Sequence, residues 1–127
     1  MIVEKLIEEL ESLDSNLVLM ANIDGNGGKL LFVYIFGNSQ GFPIIKLSDI
    51  RPLPSAKKVR QLLNELERWV ERGNKNASPI HLMTSFDYED SSYDLKYYSI
   101  INVINSMDTV TLISDGNEIL EMREHFN

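Results

Sequence analysis

Apolar residues recur at Val3, Leu6, Ile7, Leu10 and Leu13, the spacing of one face of a helix. The pattern predicts a helix over residues 2–13, ended by Asp14-Ser-Asn16. Leu17, Leu19, Ala21 and Ile23 then alternate with Val18, Met20 and Asn22, which predicts a strand with one face more apolar. Asp24-Gly-Asn-Gly-Gly28 reads as a hairpin turn, because glycine adopts left-handed angles at little cost. Lys29–Phe36 is aliphatic and aromatic, so a central strand buried on both faces is expected. Gly37–Gly41 is expected as a loop and Pro43–Leu47 as a third strand, with proline at its opening, where a missing N–H is tolerated.

The pattern then starts again. Arg51-Pro-Leu-Pro54 breaks the chain, since two prolines in three residues favour an extended linker. Ser55 is the expected N-cap of a helix over residues 56–72, with Val59, Leu62, Leu63, Leu66, Trp69 and Val70 on its apolar side and Gly73 closing it. Ile80, Leu82, Thr84 and Phe86 line one face of the next strand, and His81, Met83 and Ser85 the other. Asp87–Asp94 is acidic and aromatic and reads as a hairpin tip. Tyr97, Tyr98, Ile100, Ile101, Val103 and Ile104 favour strand over residues 95–104, with a short helix as the alternative. Thr109–Ser114 is a strand, and Asp115-Gly116 predicts a turn that folds residues 118–122 back as a further strand. Residues 124–127 are expected to fray.

The two halves also match in sequence. Val3–Glu11 reads against Val59–Glu67, Leu17–Asp24 against Ile80–Asp87, and Leu47–Asp49 against Ile113–Asp115, in the same order. The expected fold is therefore α+β: a single domain, 1–127, built from two α-β-β-β units as a pseudo-repeat. The halves, about 1–50 and 55–122, are joined by linker 51–54. Joined edge to edge they form one mostly antiparallel sheet of six or seven strands with two helices packed on one face, which buries more apolar area and removes two open edges.

Composition narrows function more than fold. The chain has 127 residues, 43% hydrophobic and 24% charged, enough for a core without staples. It has no cysteine, which excludes disulfides, thiolate metal sites and cysteine nucleophiles. The N-terminus reads as an acidic amphipathic stretch and not a signal peptide, and no apolar run is long enough to span a bilayer, so a cytoplasmic protein is expected. A net charge of −7 disfavours direct nucleic-acid binding. The charge is uneven. Arg51, Lys57, Lys58, Arg60, Arg68, Arg72 and Lys75 outnumber Glu65, Glu67 and Glu71, making a basic strip that is either solvated or set against an acidic partner.

No spacing carries a catalytic or cofactor signature. Asp24-Gly-Asn26 opens like a calcium loop but fails at its fifth position, Gly28, and its twelfth, Ile35. The same glycines precede a strand, not the helix a phosphate cradle needs. His81 and His125 have no triad or zinc spacing, and Trp69 is expected in the core. The densest chemistry is the acidic-aromatic stretch: Phe86, Asp87, Tyr88, Glu89, Asp90, Tyr93, Asp94, Tyr97 and Tyr98. Tyrosines beside carboxylates offer rigid contact area with negative potential, a surface for a basic protein partner. The expected function is thus non-catalytic protein–protein interaction, as in adaptors, inhibitors and immunity-type accessory proteins of mobile elements. No enzyme activity, cofactor or metal is expected, and a homodimer is compatible with the open sheet edges. The alternative is a small-ligand binder or an unfamiliar enzyme with a pocket on the open sheet face, lined by Met83, Phe86, Tyr97 and Tyr98.

Overall fold

A computed structural model describes residues 1–24, 30–39, 42–49, 56–87 and 93–120, with backbone alone at 35, 38, 39, 85–87, 93 and 94. Most of the glycine turn, the 51–54 linker, Ser55, the hairpin-tip residues Tyr88, Glu89 and Asp90, and the 121–127 tail lie outside the described residues. The elements run α1 (Val3–Glu11), β1 (Val18–Ile23), β2 (Leu30–Ser39), β3 (Phe42–Ser48), α2 (Val59–Glu71), β4 (His81–Asp87), β5 (Tyr93–Ser99), β6 (Asn102–Asn105) and β7 (Thr109–Ser114).

All seven strands join one sheet, in the order β5-β4-β3-β2-β1-β7-β6. β1–β2, β2–β3, β4–β5 and β6–β7 pair antiparallel. β1–β7 and β3–β4 pair parallel. The fold is α+β with a mostly antiparallel sheet.

That sheet is curled, and the chain itself requires it. β5 and β6 stand at opposite ends of the sheet, yet only Ile100 and Ile101 separate them in sequence. The stretch from Ser99 to Asn102 can span at most about 11 Å. The ends of a flat seven-stranded sheet would stand about 29 Å apart. The two edges must therefore converge at this corner. There Ile101 N–H donates to Ile113 O of β7 at 2.8 Å, and Ile100 is 2% exposed. Residues 95–104 are thus two strand segments around a corner, and not a helix.

One principal core fills the fold. Val3, Leu6 and Leu10 of α1 and Val59, Leu62, Leu66 and Trp69 of α2 join Leu19, Ala21, Ile23, Leu31, Val33, Ile45, Leu47, Leu82, Val110 and Leu112 from the strands. The helical apolar period and the strand alternation converge on the same interior, as the hydrophobic pattern predicts. A smaller cluster lies on the other side of β3–β4–β5, where Ile44 and Tyr97 are buried and Phe42, Met83, Leu95 and Ile119 pack against them.

Several boundaries depart from the sequence reading. α2 begins at Val59 behind Lys58, not at residue 56 behind Ser55. Residues 57–59 bind the opening of β1 instead: Leu19 N–H donates to Lys57 O and Val59 N–H to Leu17 O, both at 2.9 Å. Strand-like pairing there prevents an earlier helix start. Gln61 Oε1 accepts from Lys58 N–H at 2.7 Å and caps the first turn. β2 continues through Gly37, Asn38 and Ser39, paired to Ile44, Pro43 and Phe42, where a loop was expected. Nor is β2 buried on both faces, because Leu30 and Tyr34 are exposed. Glu118 does not pair back onto β7. It forms an isolated bridge with Tyr98 of β5, and Ile119 N–H donates to Tyr97 O at 2.8 Å.

The two expected turn glycines behave as predicted. Gly73 ends α2 at φ +92°. Gly116 has φ +82°, and a Cβ there would lie 2.0 Å from the backbone oxygen of Asp24. Only glycine satisfies both the angle and the approach.

Candidate functional site

The acidic-aromatic segment is a hairpin limb. β4 and β5 pair from His81↔Ser99 out to Asp87↔Tyr93, with Phe86 opposite Asp94. The register therefore brings Phe86, Asp87, Tyr93 and Asp94 together at the outer end of the β4–β5 ladder. Tyr88, Glu89 and Asp90 lie outside the described residues. The two tyrosines further in part company. Tyr97 is 2% exposed and sits in the smaller cluster with Ile44, and burial pushes its phenol pKa up. Tyr98 pairs with Leu82 and packs against the principal core. These neighbours lie on opposite faces of β5, so they do not line one pocket with Met83. The face of β3–β4–β5 that carries Met83 and Tyr97 is covered at Tyr97 by Ile119.

His81 lies on the same face as Ile44 and Met83. Its Nδ1 is buried without a hydrogen-bond partner, and burial lowers its pKa. Among the described residues, no group of three or more His, Asp or Glu could hold a metal ion, and no helix is long and apolar enough to cross a membrane.

Two features were not anticipated. The first is a cavity of about 190 Å³ where α2 crosses the far half of β2. It is lined by Phe36, Gly37, Glu65, Arg68, Trp69 and Arg72. Positions 65, 68, 69 and 72 share a helix side by their i, i+3, i+4, i+7 spacing. Glu65 Oε1 pairs with Lys57 Nζ, while Glu65 Oε2 is buried without a partner. Trp69 is 4% exposed, and its indole N–H also has no partner. Arg68 and Arg72 are exposed and form no ion pair with a described carboxylate.

No family model, curated protein or solved structure matches this chain. The site must be read from its own geometry.

The second feature is the β6 edge. Among the described residues, β6 pairs only with β7 and ends the sheet. Ile101 (54%), Ile104 (45%) and Met107 (93%) are exposed along it. From Tyr97 to Met107 the chain carries no charge. Exposed edge strands are usually blunted by lysine, proline or a bulge. Here Asn102 Oδ1 takes the N–H of Val103 at 2.9 Å, a local bond that an incoming strand would replace.

The sequence signals for both were present but dispersed. Arg68 and Arg72 were visible only as part of a basic strip, and Trp69 only as core. Phe36 and Gly37 fell at an expected strand end. The charge gap at 97–107 is legible in the sequence, but its place on an edge is not, because edge position depends on the topology.

Proposed function

We propose that this protein acts by protein–protein contact, taking a partner segment at the β6 edge beside the β4–β5 hairpin. The observation that carries this reading is the uncharged edge strand with Ile101, Ile104 and Met107 exposed. Strand addition satisfies the open backbone groups of such an edge, and the apolar side chains supply contact area. Ser106 N–H donates to Thr109 O at 2.8 Å, so alternation turns the N–H of Asn105 to the open side. β5 leads into β6, so the acidic hairpin belongs to the same continuous stretch of chain. Asp87, Glu89, Asp90 and Asp94 then favour a basic partner over an acidic one. An adaptor, inhibitor or immunity-type accessory role follows from this chemistry.

The same reading includes the pseudo-repeat as its scaffold. The supporting observation is a matched set of hydrogen bonds that cross between the halves. Val3 N–H to Ser78 O, Glu4 N–H to Asn76 O and Ile80 N–H to Met1 O, at 2.9, 2.9 and 3.1 Å, tie α1 to the lead of β4. Val59 N–H to Leu17 O, Arg60 N–H to Ser15 O and Leu19 N–H to Lys57 O, at 2.9, 3.0 and 2.9 Å, tie α2 to the lead of β1. Each helix residue of the first set corresponds to the one 56 positions on in the second, and each strand-lead residue to the one 61 positions earlier, two fewer than the 63 that separate Leu17–Asp24 from Ile80–Asp87 in the sequence match. The α-β-β-β unit is made twice, with β5 and β6 together standing for β2, and both helices packed on the inner face of the sheet.

The test is Ile104→Lys. Ile104 is half exposed, so the fold should hold, with a Tm within a few degrees of the parent. Capture of a stoichiometric partner by the immobilised protein, or self-association in light scattering, should be lost in the variant. Unchanged association by both measures would remove the β6 edge from the proposal.

A further inference from the structure

We infer that the occupant of the β6 edge is a second copy of this chain, joined antiparallel so that the sheet runs on across a twofold axis at Ile104. The inference rests on the protein-contact reading of that edge and names its partner. Backbone alternation sets the register. Ser106 N–H donates to Thr109 O, so Asn102, Ile104 and Ser106 turn their peptide groups to β7, while Val103 and Asn105 turn theirs outward. The N–H of Val103 is accordingly met by the Asn102 side chain and not by β7. The register that satisfies both outward residues at once sets Val103 against Asn105 of the second copy and Asn105 against its Val103. Ile104 then faces Ile104 of the second copy as a non-hydrogen-bonded pair, with Cα atoms about 4.5 Å apart.

The side chains repeat that symmetry. Counting outward from Ile104, Val103 meets Asn105, polar Asn102 meets polar Ser106, and Ile101 meets Met107. The exposed apolar residues of this edge, Ile101, Ile104 and Met107, thus fall opposite one another, which an isologous interface needs and a foreign strand would not. Charge points the same way. A net charge of −7 makes copies of this chain repel. From Tyr97 to Met107 there is no charge to oppose contact. Asp108, the first carboxylate beyond, falls across from Ile100 of the second copy and not from its own counterpart, so no like charges are set face to face. The acidic end of the β4–β5 hairpin lies outside the seam, and its attraction for a basic partner is unaffected.

Sedimentation equilibrium of the full-length chain should show reversible dimers, half formed somewhere between about 10 µM and 1 mM, the range of a small interface. The chain has no cysteine, so single cysteines report the register. Oxidised with copper–phenanthroline, Ile104→Cys should form a covalent dimer, because position 104 stands opposite itself within disulfide reach. Ser106→Cys should not, because its counterpart lies about 14 Å further along the seam. A monomer at about 1 mM overturns the inference. So does cross-linking of Ile104→Cys no faster than that of Ser106→Cys. If the chain stays monomeric while a foreign partner is captured and then lost in Ile104→Lys, the second copy is excluded and the protein-contact reading stands. If dimers form and Ile104→Lys leaves them intact, the edge is not the interface and both fail.

Discussion

The individual residues that matter most are those whose polar atoms the fold leaves without a partner. His81 is the clearest case. Its Nδ1 is buried and unpaired, and burial lowers its pKa from the ordinary value of 6.5. The unfolded chain therefore takes up a proton near pH 6.5 that the folded chain resists. Between the depressed folded pKa and about 6.5 the unfolded state holds more protons, so stability rises with pH through this window and levels off above it. Urea midpoints should fall from pH 7.5 to pH 5.5, and His81→Gln should flatten that part of the dependence. A dependence unchanged in His81→Gln would assign it to carboxylates. Thr84 Oγ1 is likewise buried and unpaired, but it does not titrate and so leaves no such signature. Residue identities of this kind are invisible in sequence, since the alternation that places His81 on a strand face gives no sign that its Nδ1 will be buried without a partner.

At the level of elements, much was legible. α1, β1, β3, β4 and β7 lie within a residue or two of where periodicity predicts them, because each has one apolar face and must bury it. The failures share a cause: a long-range bond overrides a local signal. Ser55 is the better cap by chemistry, yet the helix starts at Val59 because residues 57–59 are held by β1. Gly37-Asn-Ser39 looks like loop, yet β3 offers a ladder that extends β2. Asp115-Gly116 does form a turn, but the chain beyond it goes to β5 and not to β7. That last strap has a measurable role. Ile119 packs against the cluster of Ile44 and Tyr97, and its N–H is held by Tyr97 O. Ile119→Asp places a carboxylate on that apolar ground and should cost about 1–3 kcal/mol. It should also admit water to Tyr97. Because burial raises the Tyr97 pKa, its titration by NMR should move back toward 10 in the variant. A destabilised protein with an unmoved Tyr97 titration would mean that the strap does not cover the ring. Among the proposed contact residues, register placed Phe86, Asp87, Tyr93 and Asp94 together, and the same register turned Tyr97 inward.

For the molecule as a whole, the decisive feature is how the halves interlock. α1 is anchored by backbone bonds to the lead of β4, in the other half, and α2 to the lead of β1. The sheet repeats the exchange: β3 pairs with β4 and β7 with β1, so both seams between halves are parallel ladders. A half alone would lose its helix anchor, one strand neighbour at each end and the other half's share of a single core. A chain of about 60 residues already buries proportionally less of its surface than a full domain does. Neither fragment, cut within 51–54, should therefore fold by itself, although the first carries a helix and three strands and the second a helix and four. Narrow amide dispersion and weak ellipticity are expected for 1–52 and for 53–127 separately. An equimolar mixture should recover the spectrum of the intact chain, because each fragment supplies the seams the other lacks. The intact chain should unfold in one transition that fluorescence from Trp69 and far-ultraviolet dichroism report identically. If the second fragment folds alone, its own core of α2, β4, β5 and β7 suffices, and the cross-half bonds are accessory. If the mixture stays unfolded, the 51–54 connection contributes more than the seams do.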